Sequence, residues 1–197
     1  MTADAPPTPG PLSLPELVGA RVRLRGWRST DAHAVREASY DPLIPVITSV
    51  PTVDSEEEAL AFVERQQDRL RDRVGYPFAV ADADDRAVGF IILQLRGAEG
   101  ARGSIGYWTC PSQRRRGYAA EALEVLTAWA RDLPDLDRLE LYVEPWNEGS
   151  WRAAESAGYE REGLLRAWER VDGEPRDMYM YAQLTAGSSA RGEHRPS

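Results

Sequence analysis

The sequence predicts one α/β domain built on a mixed, largely antiparallel sheet that is flanked by helices. Three observations predict this class. Short segments with apolar residues at every second position recur along the chain and are typical of half-buried strands. Longer segments with helical periodicity separate some of these strands, and tight turns separate others. At 197 residues the chain is long enough to bury the core of a single domain.

The N-terminal half is predicted to begin with a strand, followed by two helices and a hairpin. Ser29 or Thr30 is suited to cap the helix that follows the first strand. Prolines interrupt the next loop, and the acidic run 54–58 is typical of a helix start. Apolar residues at helical spacing predict the buried face of that helix: Leu60, Val63, Leu70 and Val74. The predicted segments are a strand at 20–28, a helix from 31, an irregular loop at 41–53, a helix from 54, and strands at 76–81 and 87–95.

The C-terminal half alternates strands with helices and closes with a second hairpin. Asp172-Gly173 favours a two-residue hairpin turn, and Gly158 is suited to end a short helix. The predicted segments are a turn at 98–103, a strand at 104–110, a helix at 117–133, a strand at 137–144, a helix at 149–157, and strands at 163–171 and 176–184. Residues 1–19 are expected to be a flexible lead-in and residues 186–197 a disordered tail, which leaves one domain at 20–185.

Composition and charge exclude several classes of function. All 24 basic residues are arginines, which excludes a P-loop lysine, a pyridoxal-phosphate Schiff base and a Ser–Lys hydrolase. The net charge of −8 argues against nucleic acid as a partner and favours cationic partners such as amines. No apolar run reaches the length of a membrane span, and the N-terminus lacks a signal-peptide pattern. With Cys110 as the single cysteine, we expect a cytoplasmic protein without a disulfide framework or a structural metal.

The loop from Gln113 to Ala120 joins a predicted strand to a predicted helix. It carries three consecutive arginines, which are followed by Gly117. The free N–H groups of a first helical turn, together with the helix dipole, favour an anion at this place. Gly117 also removes a Cβ where a phosphate would touch the backbone. The loop therefore predicts a cradle for a pyrophosphate, and so for a cofactor that carries one.

Two blocks and the closing segment of the sequence resemble the GNAT superfamily of N-acetyltransferases. The family's loop has the form Arg/Gln-x-x-Gly-x-Gly/Ala, which Arg114, Gly117 and Ala119 fill. The second block resembles the V-x-P-x-N-x-x-S…E-x-x-G-[FY] pattern of the RimJ/RimL branch, which acetylates protein N-termini and small amines. The matching segments are 114–119, 143–150 with 155–159, and 176–181. The likeness extends over roughly residues 20–184.

The resemblance implies a GNAT-like sheet whose fourth and fifth strands splay apart, with acetyl-CoA as the acyl donor and its pantetheine arm in the gap. Within this picture Asn147 resembles the residue that bonds the pantetheine arm, and Ser150 the residue near the thiol sulfur. The donor-binding residues that the resemblance implies are Trp108, Thr109, Cys110, Arg114, Arg115, Arg116, Gly117, Tyr118, Ala119, Ala120, Asn147 and Ser150. It implies no metal, and a monomer or homodimer.

The chemistry that the resemblance implies is direct attack of a neutral primary amine on the thioester carbonyl. A backbone N–H within 108–110 would hold the oxyanion, and Ser150 would donate to the departing thiolate. Glu169 matches the family's proposed base, and Glu144, beside the splay, is the other candidate. Many family members carry a tyrosine acid where this chain has Ala154, so that role passes to Ser150 or to solvent. The acceptor is expected to be a protein N-terminus or a small cationic amine.

Other interpretations of the same residues stay open at this point. Asn147 and Ser150 are also suited to cap the short helix, and Glu169 to a solvent-facing strand position. Cys110 is interpreted as a small buried apolar residue rather than a nucleophile. The missing tyrosine acid makes a non-catalytic acyl-CoA-binding or sensing module the rival function. Transfer of another acyl group, such as succinyl, is the third.

Overall fold

The computed structural model describes residues 12–96, 102–134 and 136–185. Its strands are β1 Leu17–Val18, β2 Arg23–Arg25, β3 Gly75–Ala81, β4 Ala87–Arg96, β5 Arg102–Thr109, β6 Arg138–Val143, β7 Glu160–Val171 and β8 Glu174–Leu184. Its helices are α1 Ala32–Ser39, α2 Ile44–Ile47, α3 Glu56–Arg71, α4 Tyr118–Ala130 and α5 Glu148–Ser156. No helix of the described residues is long and apolar enough to cross a membrane.

The strands form one open sheet in the order β1-β2-β3-β4-β5-β6-β8-β7. Every neighbouring pair is antiparallel except β5 and β6, which run parallel. That parallel pairing covers only 102–104 against 138–140, after which the two strands separate. β5 and β6 are the fourth and fifth strands of the prediction, which did not include β1. The splayed pair in a mixed, largely antiparallel sheet is thereby confirmed.

Helices cover both faces of the sheet and enclose two hydrophobic cores. On one face α4 and α5 pack over the strands through buried residues such as Leu123, Leu126 and Ala154. On the other face α1 and α3 enclose an aromatic cluster, with Trp27, Phe62, Phe90 and Trp108 at centroid distances of 5.4 to 6.4 Å. Strand alternation divides β6 between the faces, because Leu139, Leu141 and Val143 enter the first core.

The segment before residue 20 differs from the predicted flexible lead-in, as far as the structure describes it. Leu12, Leu14 and Leu17 pack against the first core, and β1 pairs with β2. The prolines of this segment suggest a loose tail, but the leucines between them bury apolar surface that outweighs the cost of ordering the backbone. Residues 1–11 and the predicted tail 186–197 lie outside the described residues, as does most of the predicted turn at 98–103.

Two helical predictions need correction. The loop predicted at 41–53 contains the short helix α2, whose first turn includes Pro45, a position where proline is tolerated. Ser55 caps α3 as its acidic start suggests, but the buried face of that helix consists of Ala59, Phe62, Val63 and Gln66. Val74, which was predicted on the buried stripe, lies beyond the end of the helix and is exposed.

The C-terminal hairpin turns at Asp172 and Gly173, both with positive φ, as a type I′ turn requires.

Candidate active site

A cleft of about 240 Å³ opens where β5 and β6 separate. Its walls come from both strands, from the end of α2, from the start of α5 and from β7 and β8. It brings Glu169 of β7 together with three predicted site residues from one stretch of chain after β6: Glu144, Asn147 and Ser150. Trp108 lines the same cleft from β5. A more open continuation, on the β7 side, is lined by Arg96, Arg102, Glu140, Tyr142 and Trp168 together with Glu169.

The arginine loop leads into the N-terminus of α4 as the sequence predicts. A 3-10 turn at Pro111–Gln113 precedes it, and Gly117 takes the N-cap position with a φ of +80°. Arg115 also has a positive φ, so the chain curls tightly before the helix. Within the part of the chain that the structure describes, no side chain caps this end of α4, and the first helical bond runs from the N–H of Glu121 to the carbonyl of Gly117. The free N–H groups of the first turn therefore point to a site for an anion.

The three arginine side chains of this loop differ in their contacts. The Arg114 guanidinium forms an ion pair with buried Asp41 at 2.7 Å, which ties the loop to the α1–α2 connection. Arg115 and Arg116 are exposed, and their side chains pair with no carboxylate among the described residues. Beneath the loop, Arg21 donates to the carbonyl of Arg116 and to the Glu121 carboxylate. Two cations are thus available to a diphosphate, and the third arginine anchors the loop.

Asn147 and Ser150 lie together at the start of α5, and only one of them caps it. The Asn147 side-chain oxygen accepts a hydrogen bond from the N–H of Ser150 at 3.2 Å. The Ser150 hydroxyl instead lies 2.8 Å from the Tyr107 hydroxyl across the cleft. The capping interpretation therefore holds for Asn147, whereas the Ser150 side chain is held toward β5 and is partly exposed in the cleft.

Tyr107 is a site residue that the sequence analysis missed. Its hydroxyl also donates to the backbone carbonyl of Ser150 at 3.1 Å, and burial raises the pKa of this phenol. The phenol consequently stays protonated at neutral pH and can act as a hydrogen-bond donor. Its position in β5 could have indicated this role. Strand alternation puts Tyr107 and Trp108 on opposite faces of the sheet, and α5 packs on the face of Tyr107.

The other predicted donor-site residues at and after the end of β5 differ in their burial and hydrogen bonding. Trp108 is buried, and its indole nitrogen has no partner among the described residues. Cys110 is buried as well, and burial raises the pKa of its thiol to about 12, which agrees with the interpretation of a small apolar residue and not a nucleophile. Its backbone N–H already donates to the carbonyl of Val88 at 2.9 Å. Because N–H groups alternate in direction along a strand, the N–H of Thr109 points toward the splay instead.

The two candidate bases differ in exposure and in partners. Glu144 is buried at the end of β6, and one of its oxygens lies 3.9 Å from Nε of Arg176. Glu169 is exposed on β7 and forms no ion pair within the described part of the chain. Both line the cleft, so the geometry leaves both as proton acceptors. Glu169 is the one whose carboxylate is free to meet a cation from solvent.

A bulge in β7 carries Glu169 and Trp168 to the same cleft. Between the paired positions Leu165–Met178 and Glu169–Arg176, three residues of β7 stand opposite Asp177 alone. The middle one, Ala167, has a φ of +49°, and its N–H donates to the Asp177 carboxylate at 2.8 Å. Neighbouring residues of a regular strand point to opposite faces, so the bulge is what brings both side chains into the cleft.

Trp168 completes an aromatic wall along the open part of the cleft. Its ring stacks on Tyr142, with 5.4 Å between the ring centroids and 19° between the planes, yet 53% of the tryptophan is exposed. The Tyr142 hydroxyl donates to the buried carboxylate of Glu140 at 2.8 Å.

Within the described residues, no three histidine, cysteine, aspartate or glutamate side chains are grouped as a metal site would require.

The comparisons with known proteins agree with this geometry. A family model described as an acetyltransferase (GNAT) domain matches residues 21–160. The uncharacterized N-acetyltransferase p20 of Bacillus licheniformis is 26% identical over 165 residues, which cover 83% of this chain and 93% of that protein. Since the family model spans most of the chain, this protein belongs to the GNAT acetyltransferase family and is an N-acetyltransferase by family.

Solved structures place the fold in the same family. A GNAT-family acetyltransferase from Bacillus anthracis superimposes with a TM-score of 0.73 at 26% identity, over 86% of this chain and 98% of that one. RimJ of Mycobacterium smegmatis, solved with a CoA disulfide, gives a TM-score of 0.69 at 25% identity, over 83% of this chain and 81% of that one. The second likeness agrees with the predicted RimJ/RimL-like branch.

Proposed function

We propose that this protein transfers an acetyl group from acetyl-CoA directly to a primary amine. The observation that carries the proposal is the continuity of the site. An uncapped helix N-terminus with two available arginines lies beyond the end of β5, and the splay beside that strand leads to Ser150 and Glu169. A donor with a diphosphate at one end and a thioester at the other fits these features, and RimJ of Mycobacterium smegmatis was solved with a related CoA compound.

Groups on β5 and α5 would bind the reacting thioester of the acyl donor. The amine nitrogen bonds to the thioester carbonyl carbon, and negative charge develops on the carbonyl oxygen. The Thr109 N–H is the group we assign to that oxygen, since the N–H of Cys110 is already bonded to β4. The carbon–sulfur bond then breaks, and the Ser150 hydroxyl donates a hydrogen bond to the thiolate. Tyr107 supports this step by holding Ser150 in the cleft, since its hydroxyl lies 2.8 Å from the Ser150 hydroxyl and donates to the Ser150 carbonyl. The proton that the nitrogen loses as the amide forms passes to the sulfur through water, which gives the free thiol.

The acceptor end requires a proton to leave the amine. Most of the amine arrives as ammonium at neutral pH, and one proton must go before nitrogen can attack. Glu169 is our assignment for this acceptor, directly or through water, because its carboxylate is exposed in the cleft and unpaired within the described residues. Glu144 is the second candidate, since Arg176 lies near its carboxylate.

A different acyl group is the second candidate function. Arg69 of α3 lines the inner cleft and pairs with no carboxylate in the part of the chain that the structure describes. A guanidinium in that place would suit a donor whose acyl chain ends in a carboxylate, such as succinyl-CoA.

Thiol release decides between these functions. The purified protein is assayed with acetyl-CoA or succinyl-CoA and a panel of peptides and small amines, and the free thiol is measured. We expect release with acetyl-CoA that depends on the amine, with an acetylated amine identified by mass. Tight binding of acetyl-CoA without turnover of any amine would instead support the non-catalytic binding module.

A further inference from the structure

The cleft differs in charge character from the rest of the molecule. The whole chain carries a net charge of −8, yet three guanidinium groups line the cleft and its open continuation: Arg69, Arg96 and Arg102. Cations that line a concave site act on the ligand more strongly than the distant net charge, because the low-dielectric walls concentrate their field. The charge that the acceptor should carry is therefore inferred from these arginines and not from the net charge of the whole chain.

Most of the carboxylates in the cleft are already compensated. Glu140 is buried, lies 2.7 Å from Nε of Arg138 and accepts from the Tyr142 hydroxyl. Glu144 has Arg176 at 3.9 Å. Glu169 alone forms no ion pair among the described residues. One uncompensated carboxylate thus remains, which suits a single ammonium group at the reacting end of the acceptor.

The arginines of the cleft are much less compensated. Arg102 lies 3.8 Å from Glu140, whose stronger partner is Arg138. Arg96 donates to the neutral side chain of Gln94 and, within the described residues, to no carboxylate. Among the described residues, the Arg69 side chain donates only to the Gln66 amide oxygen, at 3.4 Å, and burial together with the neighbouring Arg65 lowers its pKa. The last turn of α3 favours a cation at Arg69, but the helix dipole does not account for the other two.

The positions of these groups give the acceptor a direction. The inner cleft holds Ser150, Asn147 and Glu144, where the thioester must lie in the proposed function. Arg96 and Arg102 line only the open continuation, beside Trp168. Glu169 lines both parts, so an amine that reacts at Glu169 extends outward past the two arginines. A second cation on the acceptor would meet them, whereas a carboxylate would pair with them.

We infer that the acceptor is a primary amine that also carries anionic groups, as an acidic peptide N-terminus or an acidic amino acid does, and that Arg96 and Arg102 select it. This inference rests on the proposed function and narrows it. It disfavours polyamines and peptides whose first residues are basic. It also reverses the expectation, drawn from net charge, that the partner is broadly cationic.

A matched peptide series tests the inference. Four peptides share an N-terminal alanine and differ in the next two residues: two glutamates, two glutamines, two arginines, or one glutamate and one glutamine. Spermidine and free glutamate complete the panel and separate peptide from small-molecule acceptors. We expect kcat/KM to rise at least tenfold from the arginine to the glutamate peptide, mainly through KM, and the preference to shrink as salt screens the charges.

Two variants and a control connect this preference to the cleft. Arg102→Gln and Arg96→Gln should each reduce the ratio of kcat/KM for the glutamate peptide to that for the glutamine peptide several-fold. Arg23→Gln removes an exposed arginine of β2 that lines neither part of the cleft, and it should leave this ratio unchanged. Equal rates across the series, or a preference for arginine peptides or spermidine, would overturn the inference and leave acetyl transfer intact. No acetylation of any amine would instead contradict the proposed function itself.

Discussion

The hydroxyl groups of Tyr107 and Ser150 lie 2.8 Å apart and join β5 to the first turn of α5 across the splay. Ser150 therefore enters the cleft with its orientation set by a neighbouring phenol and not by the helix cap, which Asn147 provides. Either hydroxyl can be the donor in this contact. Tyr107 also donates to the Ser150 carbonyl, so the serine proton is left for a sulfur in the cleft whenever Ser150 does not donate to the phenol.

Tyr107→Phe should therefore lower kcat about tenfold, roughly 1.4 kcal/mol of transition-state stabilisation, with little change in acetyl-CoA affinity. Ser150→Ala should cause a similar or larger loss. Because the two act as one unit, the double variant should be hardly slower than Ser150→Ala alone. Steady-state kinetics of the wild type, the two single variants and the double variant give the double-mutant cycle that measures this coupling. Additive losses would contradict the coupling, and full activity of Ser150→Ala would leave that serine with a structural role only.

The anion cradle is tested at Gly117. Gly117→Asp places a carboxylate where the diphosphate is expected, and we predict at least a tenfold loss of acetyl-CoA affinity, about 1.4 kcal/mol. Gly117→Asn is the matched control, because asparagine tolerates a positive φ and has the same size without the charge. Arg21 would contact either side chain, at about 2.9 Å from its Cβ. Titration calorimetry with both folded variants measures the difference, and equal affinities would remove the loop from the donor site.

The proton acceptor is tested by the dependence of rate on pH. Glu169→Gln should lower kcat/KM at pH 7 and recover in part near pH 9, because more of the acceptor is then free amine and needs no base. Glu144→Gln is the comparison, since it removes the other carboxylate of the cleft. If Glu144→Gln loses activity and Glu169→Gln does not, the base is Glu144. If both retain the wild-type profile, neither carboxylate accepts the proton.

The bulge in β7 gives Asp177 a measurable role as a positioning residue. Asp177→Ala leaves the Ala167 N–H without its partner and a left-handed alanine unsupported, at a cost of about 1–2 kcal/mol. We expect Trp168 to move off Tyr142, which changes the ¹⁹F resonance of Trp168 in 5-fluorotryptophan-labelled protein, assigned with Trp168→Phe. The KM for the amine should rise several-fold, while acetyl-CoA affinity stays the same.

Two further variants distinguish this role from general destabilisation. Asp177→Asn keeps an oxygen for the Ala167 N–H and should preserve both the resonance and the KM. Adding Ala167→Gly to Asp177→Ala should restore them in part, since glycine adopts a positive φ without strain. An unchanged Trp168 resonance in Asp177→Ala would show that the bulge holds without its carboxylate.

Local patterns were sufficient to predict most of the fold. Period-two alternation predicted β3 to β8, and turn chemistry predicted the hairpin at Asp172-Gly173. Each of these signals is contained in a few consecutive residues. The buried face of α3 was predicted poorly, since Phe62 packs against Phe90 and Trp108 of distant strands, which the helix's own pattern does not contain. For the same reason β1 was missed: two residues become a strand only because β2 lies beside them.

Contiguous motifs predicted those parts of the candidate site that each lie on one stretch of chain. The loop at 114–120 and the Asn147–Ser150 turn are each one stretch of chain, and the resemblance to a known family located both. Tyr107 and the Asp177 bulge depend on contacts across 43 and 10 residues of sequence, which no single-segment pattern contains. The arginines that line the cleft could not be located from the net charge, because net charge is a sum over the whole chain and does not depend on where the charged residues lie.

The sheet consists of two leaves joined along a short seam. Strands β1 to β5 form one leaf and β6, β8 and β7 the other, and only three residue pairs at 102–104 and 138–140 fasten them. Beyond the seam the leaves are held by side chains of one shared core, such as Ile105 and Leu141. A ligand that lies between them and bonds to the free strand edges would act as a clasp. The amide hydrogens of β5 that point into the splay, such as that of Thr109, should then exchange quickly in the free protein and slow down when the acyl donor binds, whereas those bonded to β4 should change little.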